Sequence, residues 1–123
     1  MKSIYLVDDD RDDAGLFCEA VAEINAAFDV KHFESVPDAI KALQSEKSPD
    51  ILFLDINLPV TSGWELLKQV KQDKELAGIP VIIYSTSSQA REKQMAKELG
   101  AAGFITKPNG YDEMIEELGM VLK

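Results

Sequence analysis

"SIYLVDDDRDD", Ser3 to Asp13, decides how the rest of the chain is read. A short run of apolar, β-branched and aromatic residues stops abruptly at an acidic block, in which five of the six residues from Asp8 to Asp13 are aspartates. Four more apolar runs of the same kind follow: "DVKHF" from Asp29, "ILFL" from Ile51, "PVIIYS" from Pro80 and "GFIT" from Gly103. Such runs predict strands. The segments between them have helical periodicity: Phe17, Val21, Ile24 and Phe28; Ala39, Ile40 and Leu43; Leu66, Leu67 and Val70; Met95, Ala96 and Leu99; Met114, Ile115, Leu118 and Leu122. Ser35, Pro49, Gly63, Gly78 with Pro80, and Gly100 punctuate them as start and stop signals. Strict strand–helix alternation predicts parallel strands joined by right-handed crossovers. The first, third and fourth strands are nearly all apolar, as strands covered on both faces should be, whereas "DVKHF" alternates and suits an edge. The expected fold is a (βα)5 doubly wound α/β sheet of flavodoxin-like order 2-1-3-4-5, with residues 1–123 forming a single domain.

Composition narrows the function. Apolar residues make up 46% and charged residues 28% of 123, a globular balance, and the formal net charge is −9. That charge argues against nucleic acid or an anionic membrane as partner, because both require a cationic footprint. One cysteine, Cys18, excludes an intramolecular disulfide, and no stretch approaches the roughly 20 apolar residues of a membrane span. The N-terminal apolar run is too short for a signal peptide, so a cytoplasmic location is expected.

In open α/β sheets, ligands bind beyond the carboxyl ends of the strands, at the switch point between strands 1 and 3. Strand 1 ends in Asp8 and Asp9, strand 3 in Asp55, strand 4 in Ser85 and Thr86, and strand 5 in Thr106 and Lys107. Three carboxylates in one crevice repel, each pair by on the order of 4 kcal/mol at 4 Å and an effective dielectric near 20. Such a cluster requires protons, a basic partner or a cation. Hard oxygen donors with no Cys or His beside them point to Mg²⁺, with Lys107 as a second positive charge and Ser85 as a hydroxyl donor. Together they describe phosphoryl transfer to an aspartyl nucleophile.

At these residues the chain resembles the receiver domain of two-component response regulators, in its stand-alone, single-domain form. The resemblance rests on "LVDDD" (Leu6–Asp10), "LFLDINLPVTSGWELL" (Leu52–Leu67), "PVIIYSTS" (Pro80–Ser87) and "GAAGFITKPNG" (Gly100–Gly110), in order and at the right strand ends. It implies that Asp55 is the phosphoacceptor. It also implies that Asp9 and Asp55 bind Mg²⁺ directly, Asp8 through water and Asn57 through its backbone carbonyl. Lys107 would pair with Asp55 and then with a phosphoryl oxygen, and Ser85 and Phe104 would carry the switch. The Lys107–Pro108 bond would be cis. The implied partners are a sensor histidine kinase or histidine phosphotransfer protein, and a downstream protein bound on the helix 4–strand 5–helix 5 face. Phe104 stands where tyrosine is frequent, Thr86 where a smaller residue is common, and Asn109 where an apolar residue is common. These departures leave the chemistry in place and bear on output coupling.

Simpler readings apply to other residues. Asp10 is the expected N-cap of helix 1, with Asp12 and Asp13 in its first turn, where the helix dipole favours acid. His32 has no second His or Cys near it in sequence and is assigned no role; Cys18 and Trp64 read as packing. Two other functions use parts of the same pattern. A haloacid-dehalogenase-type phosphatase also has an aspartyl nucleophile after an apolar strand, but it carries a second acid two residues on, where this chain has Asn57. A degenerate receiver would be a phosphorylation-independent binding module, against which the intact Asp9, Asp55, Ser85 and Lys107 argue.

Overall fold

The computed structural model describes residues 3–45, 48–56, 63–86 and 89–122. Strands and helices alternate as β1 (Ser3–Val7), α1 (Arg11–Ile24), β2 (Asp29–Phe33), α2 (Val36–Ser45), β3 (Ile51–Leu54), α3 (Gly63–Gln72), β4 (Val81–Ser85), α4 (Ala90–Glu98), β5 (Gly103–Thr106) and α5 (Tyr111–Val121). All strands pair in parallel, in the order β2-β1-β3-β4-β5. The expected flavodoxin-like topology is therefore the observed one, with "DVKHF" on an edge. β1 is the switch point: the chain moves from it to β2 on one side, then crosses back to β3 on the other.

Period-two alternation divides the core between the two faces of the sheet. Tyr5, Val7, Leu52, Leu54, Val81 and Ile83 pack with Val36, Leu43, Leu66, Leu67, Val70 and Ala96 of α2, α3 and α4. Ile4, Leu6, Phe53, Ile82 and Tyr84 face the opposite way, against Phe17 and Val21 of α1 and Met114 and Leu118 of α5. Phe17, Phe53 and Tyr84 form an edge-to-face aromatic trio with ring centroids 4.9, 5.5 and 6.2 Å apart. Burial of this kind contributes roughly 1.5–3 kcal/mol per large apolar side chain.

Local chemistry fixes the helix starts. The Asp10 carboxylate accepts from the backbone N–H groups of Asp12 and Asp13 at 3.0 and 3.1 Å, so Asp10 is the N-cap expected from sequence. Ser35 does the same for α2, accepting from the Asp38 N–H at 3.3 Å. One expectation is corrected at the end of α1. The helix stops at Ile24, where Asn25 leaves helical geometry, so Phe28 is not on its face. Phe28 still packs against the α1 side of the core, from the connection to β2. Apolar periodicity recorded its burial correctly and its secondary structure incorrectly.

Candidate functional site

Parallel strands deliver their carboxyl ends to one edge of the sheet, and backbone hydrogen bonds align those ends. The Asp8 N–H donates to the Phe33 carbonyl at 3.0 Å, Asp55 N–H to Val7 at 2.9 Å, and Lys107 N–H to Ser85 at 2.7 Å. Asp8, Asp9 and Asp55 each present a carboxylate oxygen, and these oxygens lie within 4.8 Å of one another. Asp8 is fully buried, Asp55 is 6% exposed, and Asp9 faces solvent. Ser85, at the end of β4, is fully buried, Thr86 is exposed, and Phe104 is half-buried. The expected fourth donor, Asn57, lies outside the described residues.

Lys107 reaches across 99 residues of sequence into this cluster. Its Nζ donates to Asp8 Oδ2 at 2.8 Å, Asp13 Oδ2 at 3.0 Å and Asp55 Oδ2 at 3.2 Å. Burial alone would lower the ammonium pKa, but the bonds to Asp8 and Asp13 and the charge on Asp55 outweigh it and hold it well above the ordinary lysine range. Burial pushes the Asp8 carboxyl up, against the pull of Lys107 and of the Asp10 N–H that donates to Asp8 Oδ1 at 2.9 Å. The cluster therefore combines a partly compensated negative field with a fixed ammonium. Its three carboxylates form a hard, all-oxygen donor set that fits a small divalent cation.

The resemblance implied a cis Lys107–Pro108 bond, which the structure does not have; there is no cis peptide bond among the described residues. The trans form is the favoured one before proline by about 0.5–1 kcal/mol. The Lys107 N–H bond to Ser85 aims the side chain at the cluster in that form.

Sequence reasoning missed two residues. Asp13 was expected only in the first turn of α1; it is there, and its carboxylate also turns inward to Lys107. The signal was present in the spacing. Asp13 stands four, seven and eight residues before Phe17, Ala20 and Val21, on the stripe that α1 buries. His32 was assigned no role, yet its Nε2 lies 2.6 Å from the Asp8 carbonyl oxygen, which requires a proton on that nitrogen. The β1–β2 register, with Leu6 opposite His32, sets up this contact.

Tyr84 lies under the ammonium, with Lys107 Nζ 5.7 Å from its ring centroid. Burial, aided by the charges of Asp13 and Asp8 and opposed by Lys107, pushes its phenol up to about 12 from an ordinary 10.0. The buried hydroxyl has no hydrogen-bond partner among the described residues. In the unfolded chain Tyr84 ionises near pH 10, and in the folded chain only near 12, so its contribution to stability is complete below pH 10 and lost as pH rises toward 12. Lys107 acts in the same direction, because its folded pKa is also raised. Urea denaturation should show stability falling steeply across this alkaline window. Tyr84→Phe should flatten that fall and cost nothing at neutral pH; an unchanged alkaline slope would contradict this account.

Comparison with known proteins agrees with the fold. Residues 4–119 match the family model described as the response regulator receiver domain. The chain belongs to that family. It is 29% identical over 117 residues to the polar-differentiation response regulator DivK of Brucella ovis, covering 95% of this chain and 93% of DivK. It spans about half the length of another relative, the phosphate regulon regulator PhoB of Pseudomonas aeruginosa, at 33% identity. Among solved structures, the phosphorylated cyanobacterial phytochrome response regulator RcpA superposes with a TM-score of 0.90 at 29% identity, covering 98% of this chain and 90% of that one. The Mn²⁺-bound response regulator Rcp1 gives 0.88 at 25% identity, with 98% and 91% covered. Single-domain receivers are thus among its homologues, and two-component signalling is the setting of the family. No helix among the described residues is long and apolar enough to cross a membrane.

Proposed function

We propose that this chain is a single-domain phosphorylation switch whose phosphoacceptor is Asp55. The observation that carries the reading is the placement of one Asp55 oxygen 3.2 Å from the Lys107 ammonium, within a cluster of three carboxylates. Phosphoryl transfer proceeds through a loose transition state and demands little covalent chemistry from the protein, so positioning and charge compensation carry most of the catalysis. The phosphorus–nitrogen bond of a donor phosphohistidine breaks as an Asp55 carboxylate oxygen bonds to phosphorus. The donor imidazole departs with the bonding electron pair and takes a proton. Lys107 follows the charge from the Asp55 carboxylate to a phosphoryl oxygen, and the Ser85 hydroxyl donates to that group.

The cation reading rests on the donor set. Asp9 and Asp55 would hold Mg²⁺ directly, Asp8 through water and Asn57 through its carbonyl; the bound ion would offset the charge shared by carboxylate and phosphoryl group. The Mn²⁺-bound form of the similar response regulator Rcp1 supports binding of a divalent ion. The chain acts as a signalling phosphoacceptor that assists its own phosphorylation and dephosphorylation, not as a turnover enzyme. Residues 1–123 form one receiver unit, in the cytoplasm. The partners are a histidine kinase or histidine phosphotransfer protein and a downstream protein, with neither nucleic acid nor membrane as a target. The output face is α4–β5–α5, where Lys93 Nζ stands 6.0 Å from the ring of Phe104, the residue expected to couple switch and surface.

Incubation with acetyl phosphate and Mg²⁺, followed by intact-mass measurement, tests this. Wild type should gain one phosphoryl group and Asp55→Asn none. An equal adduct on both would remove Asp55 from its role, and steady phosphate release from unrelated phosphomonoesters would favour the phosphatase instead.

A further inference from the structure

The three N–H donors of Lys107 meet three carboxylates, and the three are not equivalent. Asp8 and Asp55 also belong to the carboxylate cluster suited to a cation, whereas Asp13 does not. Asp13 is on the first turn of α1, its backbone N–H held by the Asp10 cap and its carboxylate about one-third exposed. Asp8 and Asp55 sit almost entirely out of solvent at strand ends. Lysine is a point charge on a flexible four-carbon stem with three rotatable donors, so nothing in its own geometry directs any one N–H. Two carboxylate acceptors, at 2.8 and 3.0 Å, fix the ammonium and leave its third N–H toward Asp55, at the longest of the three distances.

We propose that Asp13 is a positioning residue for phosphoryl transfer, anchoring the Lys107 ammonium from the α1 side so that one N–H is presented to Asp55. The proposal rests on Asp55 being the phosphoacceptor. Asp13 is the lysine partner that neither the cation cluster nor the reacting group claims. As Asp55 changes from carboxylate to acyl phosphate, the ammonium has to turn its third N–H from the carboxylate to a phosphoryl oxygen without leaving the site. An acceptor independent of that change keeps it there.

A purely structural role makes a different forecast. Asp12 shares the first turn of α1, and with it the favourable helix dipole, but the structure shows no bond from it to Lys107. Asp12→Ala is therefore the control for loss of acid at the helix start. The measurement is the acetyl phosphate phosphorylation rate across a Mg²⁺ titration, which separates the saturated rate from cation affinity. Beside it, the side-chain ammonium signal of Lys107 is followed by proton–nitrogen NMR at mildly acidic pH and low temperature, with no phosphodonor. Asp13→Ala should lower the saturated rate about tenfold, the loss of one charge-assisted hydrogen bond, and abolish the slowly exchanging ammonium signal. Asp13→Asn keeps an oxygen acceptor and should return to within about threefold of wild type, while Asp12→Ala changes neither readout.

If Asp13→Ala keeps either the wild-type saturated rate or the wild-type ammonium signal, the proposal is overturned. Equal losses in Asp12→Ala and Asp13→Ala also overturn it, in favour of a helix-start role. A wild type that gains no adduct while showing the protected ammonium would sink the Asp55 reading, and with it any role for Asp13 in transfer, but not the Lys107 anchor itself.

Discussion

Lys107→Met should lower stability at pH 7 in the absence of divalent cations by about 3 kcal/mol and, with Asp55 as the proposed phosphoacceptor, should lower its phosphorylation rate by about two orders of magnitude. Both effects have one origin. The side chains of Lys107, Asp8 and Asp55 are all more than nine-tenths buried, and methionine fills a similar volume without answering the carboxylates. Removing one partner of a buried pair leaves the other charge desolvated and unpaired, which is the costly way to break it. The sign with pH follows from Asp8. Its carboxyl already lies above its ordinary 3.8 through burial, and loss of the Lys107 hydrogen bond and charge raises it further. A raised carboxyl contributes stability below its unfolded pKa and loses it as pH rises through the folded one. The deficit of the variant should therefore be largest near neutrality and shrink toward pH 4. Mg²⁺ should stabilise the variant more than the wild type, because carboxylates that no ammonium offsets bind the cation more tightly. Urea denaturation with and without Mg²⁺, at neutral and mildly acid pH, measures all of this. A deficit that is the same at both pH values and insensitive to Mg²⁺ would mean that Lys107 contributes packing and not charge.

The strands and the destinations of Asp8, Asp9, Asp55, Ser85 and Lys107 were legible because topology and chemistry are tightly linked in a parallel sheet. An apolar run marks a strand, alternation with helices makes the strands parallel, and parallel strands bring their last residues to one edge. What escaped depended on the rotation of a side chain about its own element. Asp13 reads as a helix-start acid by its distance from the cap; it enters the site because α1 is rolled to bury Phe17, and Asp13 shares that stripe. His32 reads as an unremarkable edge residue, and only the β1–β2 register brings its ring to the Asp8 carbonyl. The bond before Pro108 escaped for another reason: the resemblance supplied an isomer on which the sequence itself is silent, and the observed bond is trans.

Gly63→Ala should be the most damaging of the glycine-to-alanine changes, for a reason equally hidden in the sequence. Gly63 reads there as punctuation before α3, and that is only half of its role. A Cβ at this position would stand 2.8 Å from Ile56 Cα and 3.1 Å from the Asp55 carbonyl carbon, with the Asp55 carbonyl oxygen nearer still. These are backbone atoms of the segment that carries the candidate phosphoacceptor, flanked by the fully buried Leu54 and Leu66, so no flexible side chain can yield. The start of α3 must move away from β3 or the Asp55 peptide must move, and either opens a core packed at crystal-like density. A cost of about 3 kcal/mol is expected, at the upper end for one inserted methyl group, together with loss of phosphorylation because the displaced peptide is that of Asp55 itself. Gly15→Ala is the counterpart. Gly15 lies inside α1, and a Cβ there meets nothing within 4 Å, so alanine should stabilise by about 0.5–1 kcal/mol through helix propensity alone. Thermal or urea denaturation of the two variants should move in opposite directions. If both stabilise, α3 does not approach Asp55 as closely as the structure has it, and the site is held by its charges and not by the packing of glycine against its backbone.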